Sequence, residues 1–289
     1  MSAPSVCAVF VTYNPPPTFI ENIASAGAQV EHVIVIDNGS SRKTEELLKE
    51  LEASPDRDVI RNDRNLGIAA ALNMGVKKAI EAGFDWIATF DQDSRVSDGF
   101  ISQMLERYLQ TERPKDVAVI SPSYVDRETG THVRLRRSGD GKILTTMTSG
   151  SMIPSDVFRK IGLFDESLFI DAVDTEFCLR ARRTGMQLLQ SPAILYHSLG
   201  RTTYHYIAGA RFGATNHSPA RRYYITRNRW RLLVAYAGDW PWVWREYRSM
   251  IVETVKIMLV EQDKWRKLRA TVTGTVDALK GKVGKQVEL

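Results

Sequence analysis

The segment at positions 86–93 reads Trp86-Ile87-Ala88-Thr89-Phe90-Asp91-Gln92-Asp93, an apolar run that ends in two carboxylates. The run predicts a buried strand, and the side chains of Asp91 and Asp93 leave the same face of an extended chain. Two anions that close repel each other, so the pair indicates a cation, and carboxylate oxygens suit Mg²⁺ or Mn²⁺. A solvated turn is the alternative, because Asp is common where strands end.

Composition indicates a globular protein without a disulfide framework. The 289 residues are 43% hydrophobic, enough for one large α/β domain with an appendage or for two small domains. Cys7 and Cys178 fall in a predicted strand and a predicted helix, which favours a reducing compartment. No apolar run is long enough to span a bilayer, and residues 1–5 lack the features of a signal peptide. We therefore expect a cytoplasmic protein.

The first half of the chain alternates strand and helix patterns. Short apolar runs predict strands at 6–11, 33–36, 86–90 and 117–120. Amphipathic stretches predict helices at 43–52, 68–82 and 99–109. Strands separated by helices of this length are typical of βαβ units and a mostly parallel sheet. Ligands of such sheets bind outside the carboxyl ends of the strands.

Polar segments stand at those carboxyl ends. They are Thr12-Tyr13-Asn14-Pro15, Asp37-Asn38-Gly39-Ser40-Ser41, Asn62-Asp63-Arg64-Asn65-Leu66-Gly67 and Asp91-Gln92-Asp93. Turns and helix caps explain any one of them, but they explain poorly why all four lie at the ligand-binding edge. We expect the four segments to converge on one rim.

The second half of the chain has a different pattern. Residues 131–147 indicate a β-ribbon, helices are expected at 155–161 and 174–185, and short strands at 186–190 and 193–197. From residue 218 onward the chain is mostly helical and rich in Trp and Arg. The net charge of +5 is concentrated between residues 201 and 285, which indicates an anionic partner such as nucleic acid, a phosphorylated substrate or an acidic membrane surface.

Two ordered sets of motifs carry a family resemblance. The first is Val11-Thr12-Tyr13-Asn14, Val35-Ile36-Asp37-Asn38-Gly39-Ser40, Asn65-Leu66-Gly67-Ile68-Ala69 with Asn73 and Gly75, and Asp91-Gln92-Asp93. The second is Gly162-Leu163-Phe164-Asp165-Glu166 with Asp174-Thr175-Glu176 and Arg180. In this order they resemble an inverting family 2 glycosyltransferase of the GT-A fold over about residues 5–230.

The resemblance implies a fold and a division of the chain. The fold is α/β, a mostly parallel, doubly wound nucleotide-binding sheet with a helical C-terminal extension. The catalytic domain is expected at 1–217, with a nucleotide-binding half at about 1–125 and an acceptor half at 126–217. A basic helical extension is expected at 218–289.

Three less specific motifs resemble those of the bacterial rhamnosyltransferases that use dTDP-L-rhamnose. They are Phe90-Asp91-Gln92-Asp93-Ser94, the segment 169–180, and Arg221-Arg222-Tyr223-Tyr224 with Arg227-Asn228. The general family more often has Glu-Asp where this chain has Val173-Asp174, a departure that removes one acid and keeps the second. The acceptor is expected to be a saccharide or a lipid-linked saccharide used for the bacterial surface.

The resemblance also implies residues that hold the donor. The nucleotide is expected to contact Thr12, Asn14, Asp37, Arg64, Asn65, Gly67 and Asp91. Asp37 has a second reading as a cap for the helix that begins near residue 42, although Ser40 and Ser41 can cap it instead. A Mg²⁺ or Mn²⁺ ion is expected on Asp93, with Asp91 nearer the ribose or a metal-bound water. His197 is expected on metal or phosphate, although a lone His is often structural.

Asp174 is the expected general base, since direct inversion needs one carboxylate that takes the proton of the acceptor hydroxyl. Its place at a helix start favours the ionised form, and Asp171 and Glu176 are its rivals. Four arginines are candidates for the diphosphate or the acceptor, because guanidinium forks match phosphate oxygens. They are Arg180, Arg221, Arg222 and Arg227.

Other functions compete with this reading. The same chemistry with a UDP-sugar donor is the first alternative, and nucleotidyl transfer is a second. Nucleotidyl transfer usually needs a Gly-rich phosphate loop after strand one, where this chain has Thr12-Tyr13-Asn14-Pro15-Pro16-Pro17. We expect no nucleic-acid partner, because the basic residues lie in a Trp-rich helical region and not in a known nucleic-acid module.

The tail, residues 239–285, has two readings. Trp240, Trp242 and Trp244 precede apolar residues at helical spacing, and basic residues accompany them. An amphipathic helix of this kind suits the headgroup boundary of an anionic bilayer, which predicts peripheral contact with the inner face of the cytoplasmic membrane. Alternatively, the apolar stripe packs on the catalytic domain or on a second subunit, which leaves a homo-oligomer open.

Overall fold

The computed structural model describes residues 4–198, 203–207 and 210–288, and the N-terminal residues used in the signal-peptide argument lie partly outside these ranges. The chain divides into two compact units. The first contains residues 1–166 and 173–198, and the second contains residues 167–172 and 199–289. By this grouping residues 199–217 belong with the C-terminal helices. The functional division at residue 217 stays a prediction.

The first unit contains the sheet and the helices that cover it. Its strands are β1 Val6–Thr12, β2 His32–Asp37, β3 Arg57–Arg61, β4 Trp86–Asp91, β5 Arg95–Val96, β6 Val117–Asp126, β7 His132–Val133, β8 Ser151–Pro154 and β9 Gln187–His197. Its α-helices are α1 Phe19–Gly27, α2 Glu45–Glu52, α3 Ile68–Glu81, α4 Phe100–Leu109, α5 Ser155–Ile161 and α6 Val173–Arg183. The helices expected at 43–52, 68–82, 99–109 and 155–161 are therefore present.

These nine strands form one sheet among the described residues. The order is β3-β2-β1-β4-β8-β6-β9-β5, with β7 paired to β6. The strands β3, β2, β1 and β4 are parallel, and β8 is antiparallel to both β4 and β6. Because β9 is parallel to β6, six strands run in one direction. This is the mostly parallel sheet that the sequence predicts.

The register of the central strands brings their polar ends level. Thr12 pairs with Asp37 on one side of β1, and Val11 pairs with Asp91 on the other. All seven residues of β1 are buried, as expected for a strand covered on both faces. Helix α3 packs closely on β1, since a Cβ at Gly75 would lie 2.3 Å from Val9 Cγ1. The buried apolar residues thus fix the edge where the polar segments meet.

Some elements differ from the sequence expectation. The ribbon expected over 131–147 is limited to the two-residue strand β7 and one bridge between Arg137 and Ile143. The two short strands expected at 186–190 and 193–197 are one strand, β9, whose pairing with β6 contains register shifts. Helix α1 and strand β3 are present although the sequence patterns do not predict them.

The second unit contains an antiparallel strand pair and three helices. The strands are β10 Thr203–Ile207 and β11 Ala210–Ala214, and the helices are α7 Pro219–Ala235, α8 Trp240–Leu259 and α9 Lys264–Leu279. Partly buried ion pairs link the helices: Arg222 and Arg229 of α7 contact Glu253 of α8 at 2.7 and 2.8 Å. Among the described residues, no helix combines the length and the hydropathy needed to cross a bilayer.

Candidate functional site

Hydrogen bonds join the end of β1 to the turn after β2. The Asn14 N–H donates to Ser40 Oγ at 2.7 Å, and the Ser41 N–H donates to Asn14 Oδ1 at 2.8 Å. Asp37 is buried and its carboxylate accepts from the Ser40 N–H at 3.2 Å, so it closes the turn that follows its own strand. No side-chain cap from Asp37 is present at the helical turn beginning at Arg42 or at α2 in the described residues.

The loop after β3 is bound to the same turn through Asn38. Asn38 Nδ2 donates to Asn65 Oδ1 at 3.1 Å, and Asn38 Oδ1 accepts from the Leu66 N–H at 3.0 Å. Gly39 has φ of 84°, and a Cβ there would lie 2.4 Å from the carbonyl carbon of Arg64. Only glycine permits this approach without displacement of the loop. Arg64 is exposed on this loop, and Asn65 also accepts from the Gly67 N–H at 2.9 Å, just before α3.

The residue between the two aspartates ties the end of β4 to the end of β1. Gln92 Oε1 accepts from the Thr12 hydroxyl at 2.8 Å and from the Tyr13 N–H at 2.9 Å. The Gln92 carbonyl accepts from Asn22 Nδ2 of α1 at 2.8 Å. The four polar segments therefore form one continuous rim along β3, β2, β1 and β4.

Asp91, Asp93 and His197 form a group that could hold a metal ion. Their ligand atoms lie within 4.8 Å of one another. Strand pairing brings His197 here, because β5 follows the Asp91-Gln92-Asp93 turn at once and Arg95 pairs with Tyr196. His197 Nδ1 lies 3.1 Å from Asp93 Oδ1 and 2.9 Å from Ser94 Oγ.

The donor set fits a divalent cation. Asp93 Oδ1 is buried, and within the described part of the chain it makes no hydrogen bond of acceptable geometry, although His197 Nδ1 is near. Burial by itself would lower the pKa of His197, but Asp93, Asp91 and Asp126 outweigh burial and raise that pKa. A site whose field stabilises an imidazolium also favours a metal cation. Two carboxylates and one imidazole suit Mn²⁺, and the carboxylates suit Mg²⁺.

The segment before β8 connects this group to Asp174. Ser149 Oγ accepts from the Asp91 N–H at 3.1 Å and lies 2.6 Å from Ser94 Oγ. The neighbouring residues Thr146, Met147 and Thr148 line a small cavity, and Asp174 of α6 lines the same cavity. The segment 146–149 therefore contacts the metal-binding group through Ser149 and lines the same small cavity as Asp174 through its other residues.

The two alternatives to Asp174 as the general base, Asp171 and Glu176, both form ion pairs with arginines. Glu176 is buried, and Arg180 contacts both of its carboxylate oxygens at 2.9 and 3.0 Å. Arg180 also donates to the carbonyls of Ile161 and Leu163, so it fixes the loop after α5 to α6. Asp171 pairs with Arg221 at 3.1 Å in the second unit.

The other arginines predicted for substrate have structural contacts in the second unit. Arg222 is buried and pairs with Glu253. Arg227 is fully buried and donates to the carbonyls of Leu168 at 2.9 Å and Gly284 at 2.6 Å. Arg221 keeps an exposed side chain. A substrate role for each of them stays a prediction.

Sequence reasoning missed four residues that organise the rim: Asn38, Gln92, Ser94 and Ser149. Asn38 and Gln92 lie within the motifs quoted above, but the motifs assign them no role. Their position directly beside Asp37 and between the two aspartates is the signal that could have found them. Ser149 precedes a glycine with φ of 75°, a turn signal, yet nothing local indicates its contact with the Asp91 N–H.

The sequence of the chain is similar to those of several known proteins. The pattern of glycosyl transferase family 2 matches residues 7–168. A dTDP-rhamnosyl transferase of Shigella flexneri, RfbF, is 30% identical over 300 residues, which cover 97% of this chain and 97% of that protein. A galactofuranosyltransferase of Mycolicibacterium smegmatis is 26% identical over 79% of this chain and 82% of its own length.

Solved structures show the same fold at low sequence identity. A mannosyltransferase from Pyrobaculum calidifontis, in complex with GDP-Man and Mn²⁺, has a TM-score of 0.64 at 13% identity. That match covers 97% of this chain and 88% of the other. TarS of S. aureus, residues 1–349, has a TM-score of 0.51 at 15% identity over 96% of this chain and 72% of its own. The α/β GT-A fold with a helical C-terminal part is confirmed.

Proposed function

Because the chain belongs to glycosyltransferase family 2, we propose that it transfers L-rhamnose from dTDP-L-rhamnose, with inversion, to a saccharide or lipid-linked saccharide. Such a product belongs to the synthesis of a bacterial surface polysaccharide. The similarity to a dTDP-rhamnosyl transferase supports the donor, since it covers 97% of this chain while the family pattern ends at residue 168. The similarity therefore includes the helical part, which the general family pattern does not describe.

The observation that carries the proposal is the group of Asp91, Asp93 and His197 at the end of β4. These side chains would hold Mg²⁺ or Mn²⁺, and the buried Oδ1 of Asp93, whose one near neighbour among the described groups is His197 Nδ1, would gain a cation. When bound, the ion supplies stabilisation of the negative charge on the leaving nucleoside diphosphate. We assign direct metal contact to Asp93 and His197, with Asp91 on the metal or the ribose.

We assign the nucleotide to the rim formed by the β1, β2 and β3 ends. Asn14 and Arg64 are exposed there and can contact base, ribose or phosphate. Thr12 and Asp37 are buried at the same edge, and each is held in place by a hydrogen bond to Gln92 or to Ser40. Asn65 and Gly67 shape the loop that closes this rim.

We assign the general base to Asp174. It would take the proton of the acceptor hydroxyl as that oxygen attacks the sugar carbon, while the bond to the diphosphate breaks on the opposite face. Its place in the first turn of α6 favours the carboxylate, and its side chain is only partly buried. The pairing of Glu176 with Arg180 makes that acid a poorer candidate.

A donor panel tests the proposal. dTDP-L-rhamnose is expected to raise the unfolding temperature of the purified chain more than other dTDP-sugars, UDP-sugars or GDP-sugars do, and only with Mg²⁺ or Mn²⁺. A larger shift with a UDP-sugar would favour the alternative donor. The same panel with each ion separates Mg²⁺ from Mn²⁺, and a mixture of nucleoside triphosphate and sugar phosphate tests nucleotidyl transfer.

The metal assignment is tested with a matched pair of variants. Asp93→Asn is expected to remove metal-dependent release of dTDP and to leave the fold intact, because one anionic ligand is lost at a surface turn. Asp98→Asn, an exposed aspartate outside the group, is the control and should behave as the wild type. Wild-type turnover by Asp93→Asn at saturating donor would show that the metal is held elsewhere.

We further expect the enzyme to act in the cytoplasm, where nucleotide sugars are available, and without a nucleic-acid partner. Both cysteines are buried free thiols, and burial raises the pKa of each to about 12, which suppresses thiolate chemistry. A fall in wild-type activity in proportion to added oligonucleotide at low salt would contradict the expectation that the enzyme has no nucleic-acid partner.

A further inference from the structure

Helix α8 exposes a continuous apolar face to solvent. The α8 outer face consists of Trp240, Trp244, Tyr247, Ile251, Val255 and Met258. At 3.6 residues per turn these six positions lie within an arc of roughly 80° along a helix about 30 Å long. Trp244, Ile251 and Met258 are 57%, 50% and 56% exposed, and Trp244 stacks on Tyr247 with ring centroids 6.5 Å apart. Val252 and Leu259, beside this face, are also exposed.

The carboxylates of α8 lie on the opposite side of the helix and face α7. Glu253 accepts from Arg229 and Arg222 of α7, and Glu246 lies 3.4 Å from Arg229. Trp242 is the large apolar side chain buried near the start of the helix. A helix held by the hydrophobic effect alone would turn its apolar stripe inward and its acids outward. Here the ion pairs with α7 hold α8 in the reverse orientation, so the apolar face is left for a partner.

The same arrangement makes the exposed charge of α8 basic. With Glu246 and Glu253 turned toward α7, the exposed charged residues of α8 are Arg245 and Arg248. Arg248 lies along the edge of the outer face, where its aliphatic stem can follow apolar surface and its guanidinium can reach outward. A second copy would bring the same positive charge against itself, on a chain whose net charge is already +5. An anionic surface is complementary to it.

We propose that the α8 outer face docks on the surface of an anionic lipid bilayer. The helix lies in the plane of the headgroups, with the aromatic side chains at the headgroup level and the aliphatic ones reaching the acyl boundary. Arg245 and Arg248 contact lipid phosphates. This placement does not depend on which sugar is transferred, so it can be tested separately from the proposed function.

Flotation of the full chain with vesicles tests the proposal. We expect binding to phosphatidylglycerol vesicles, much weaker binding to phosphatidylcholine vesicles, and loss of binding as salt rises. The triple variant Trp244→Ser, Ile251→Ser and Met258→Ser should lower the vesicle affinity by roughly 100-fold, because the apolar contact is removed. The control is Leu109→Ser with Val234→Ser, two apolar side chains that are more exposed than these but lie outside the face, and it should bind as the wild type.

A charge variant and light scattering complete the test. Arg245→Glu with Arg248→Glu should lower the affinity for anionic vesicles at least about tenfold and reduce its salt dependence. All variants change exposed side chains, so circular dichroism should show unchanged folding. Equal vesicle binding by wild type and triple variant would overturn the proposal. A dimer that the triple variant dissociates, with no vesicle binding by the wild type, would assign the face to a second copy, and a monomer that binds no vesicle would also refute it.

Discussion

The side chain of Asn228 should be among the most sensitive positions of the second unit. It is fully buried in α7, and its Nδ2 lies 2.9, 2.7 and 2.9 Å from the carbonyl oxygens of Leu168, Ile170 and Asp171. These carbonyls belong to the 167–172 strap, in which Phe169, Asp171 and Ala172 have φ of 66°, 61° and 65°. Left-handed conformations of residues other than glycine are costly, so the strap has to be held by contacts.

The magnitude follows from the groups that Asn228→Ala leaves without a partner. Leu168 keeps a donor, since Arg227 lies 2.9 Å from the same oxygen. The partly buried carbonyls of Ile170 and Asp171 lose this amide, and the buried Arg227 Nε loses its acceptor, Asn228 Oδ1 at 3.0 Å. A group left unpaired in this way costs about 1–3 kcal/mol, so the three together give an expected loss of about 4 kcal/mol in the free energy of unfolding, or a shift of more than about 1 M in the urea midpoint.

Tryptophan fluorescence during urea unfolding is the direct assay. Five of the six tryptophans belong to the second unit, so the signal reports on the part that contains Asn228. Asn228→Asp should also be destabilising, because it keeps the acceptor for Arg227 Nε but places a second acceptor oxygen against the carbonyls. Val234→Ala, on the exposed side of α7, is the control and should change stability by less than about 0.5 kcal/mol. Wild-type midpoints for both Asn228 variants would refute the reasoning.

Two further outcomes are expected. Burial would raise the pKa of Glu253, but Arg229 and Arg222 lower it from 4.5 to about 2, so its stabilisation is complete above pH 4.5 and is lost as pH falls toward 2. Glu253→Gln should therefore lower the free energy of unfolding by up to about 3 kcal/mol at pH 7. It should also reduce the loss of urea stability between pH 4.5 and pH 2, and an unchanged loss in that range would contradict the ion-pair account. Asp174→Asn should keep the thermal shift caused by dTDP-L-rhamnose but lower transfer by about 10²–10⁴-fold. Normal transfer by Asp174→Asn, with loss in Asp171→Asn, would reassign the base.

Local patterns in the sequence are sufficient for much of the first unit. The continuous apolar run of β1 predicts a strand buried on both faces, and all of its residues are buried. By contrast β3 reads Arg57-Asp58-Val59-Ile60-Arg61, and each of its residues is half-buried at the edge of the sheet. Because three of the five residues are charged, β3 does not form the apolar run that predicts a strand. Helix α1 follows three consecutive prolines, which obscure its beginning.

The candidate site is predictable in part for a similar reason. The spacing of Asp91 and Asp93 after a buried strand is a local signal, and it is enough to indicate a cation. His197 is 104 positions from Asp93, and its place beside that residue depends on the pairing of β5 with β9. Ser149 reaches the Asp91 N–H only through the packing of β8 on β4. No local pattern contains such pairings, because they are chosen by the free energy of the whole sheet.

The sequence by itself determined most of the strands and helices of the core, although not α1 or β3, and that polar segments follow the parallel strands, since both depend on side-chain periods within one element. Tertiary structure decided which way the long charged and aromatic side chains of the second unit face. The sequence marks Arg222 and Arg227 as candidates for substrate, and only the structure shows that they contact Glu253 and the 167–172 strap. The sequence shows that helix α8 is amphipathic, but it does not show which side of the helix faces the protein. The ion pairs with α7 turn the acids inward and leave the aromatic residues outside, because the orientation of a helix is set by the partner on which it packs.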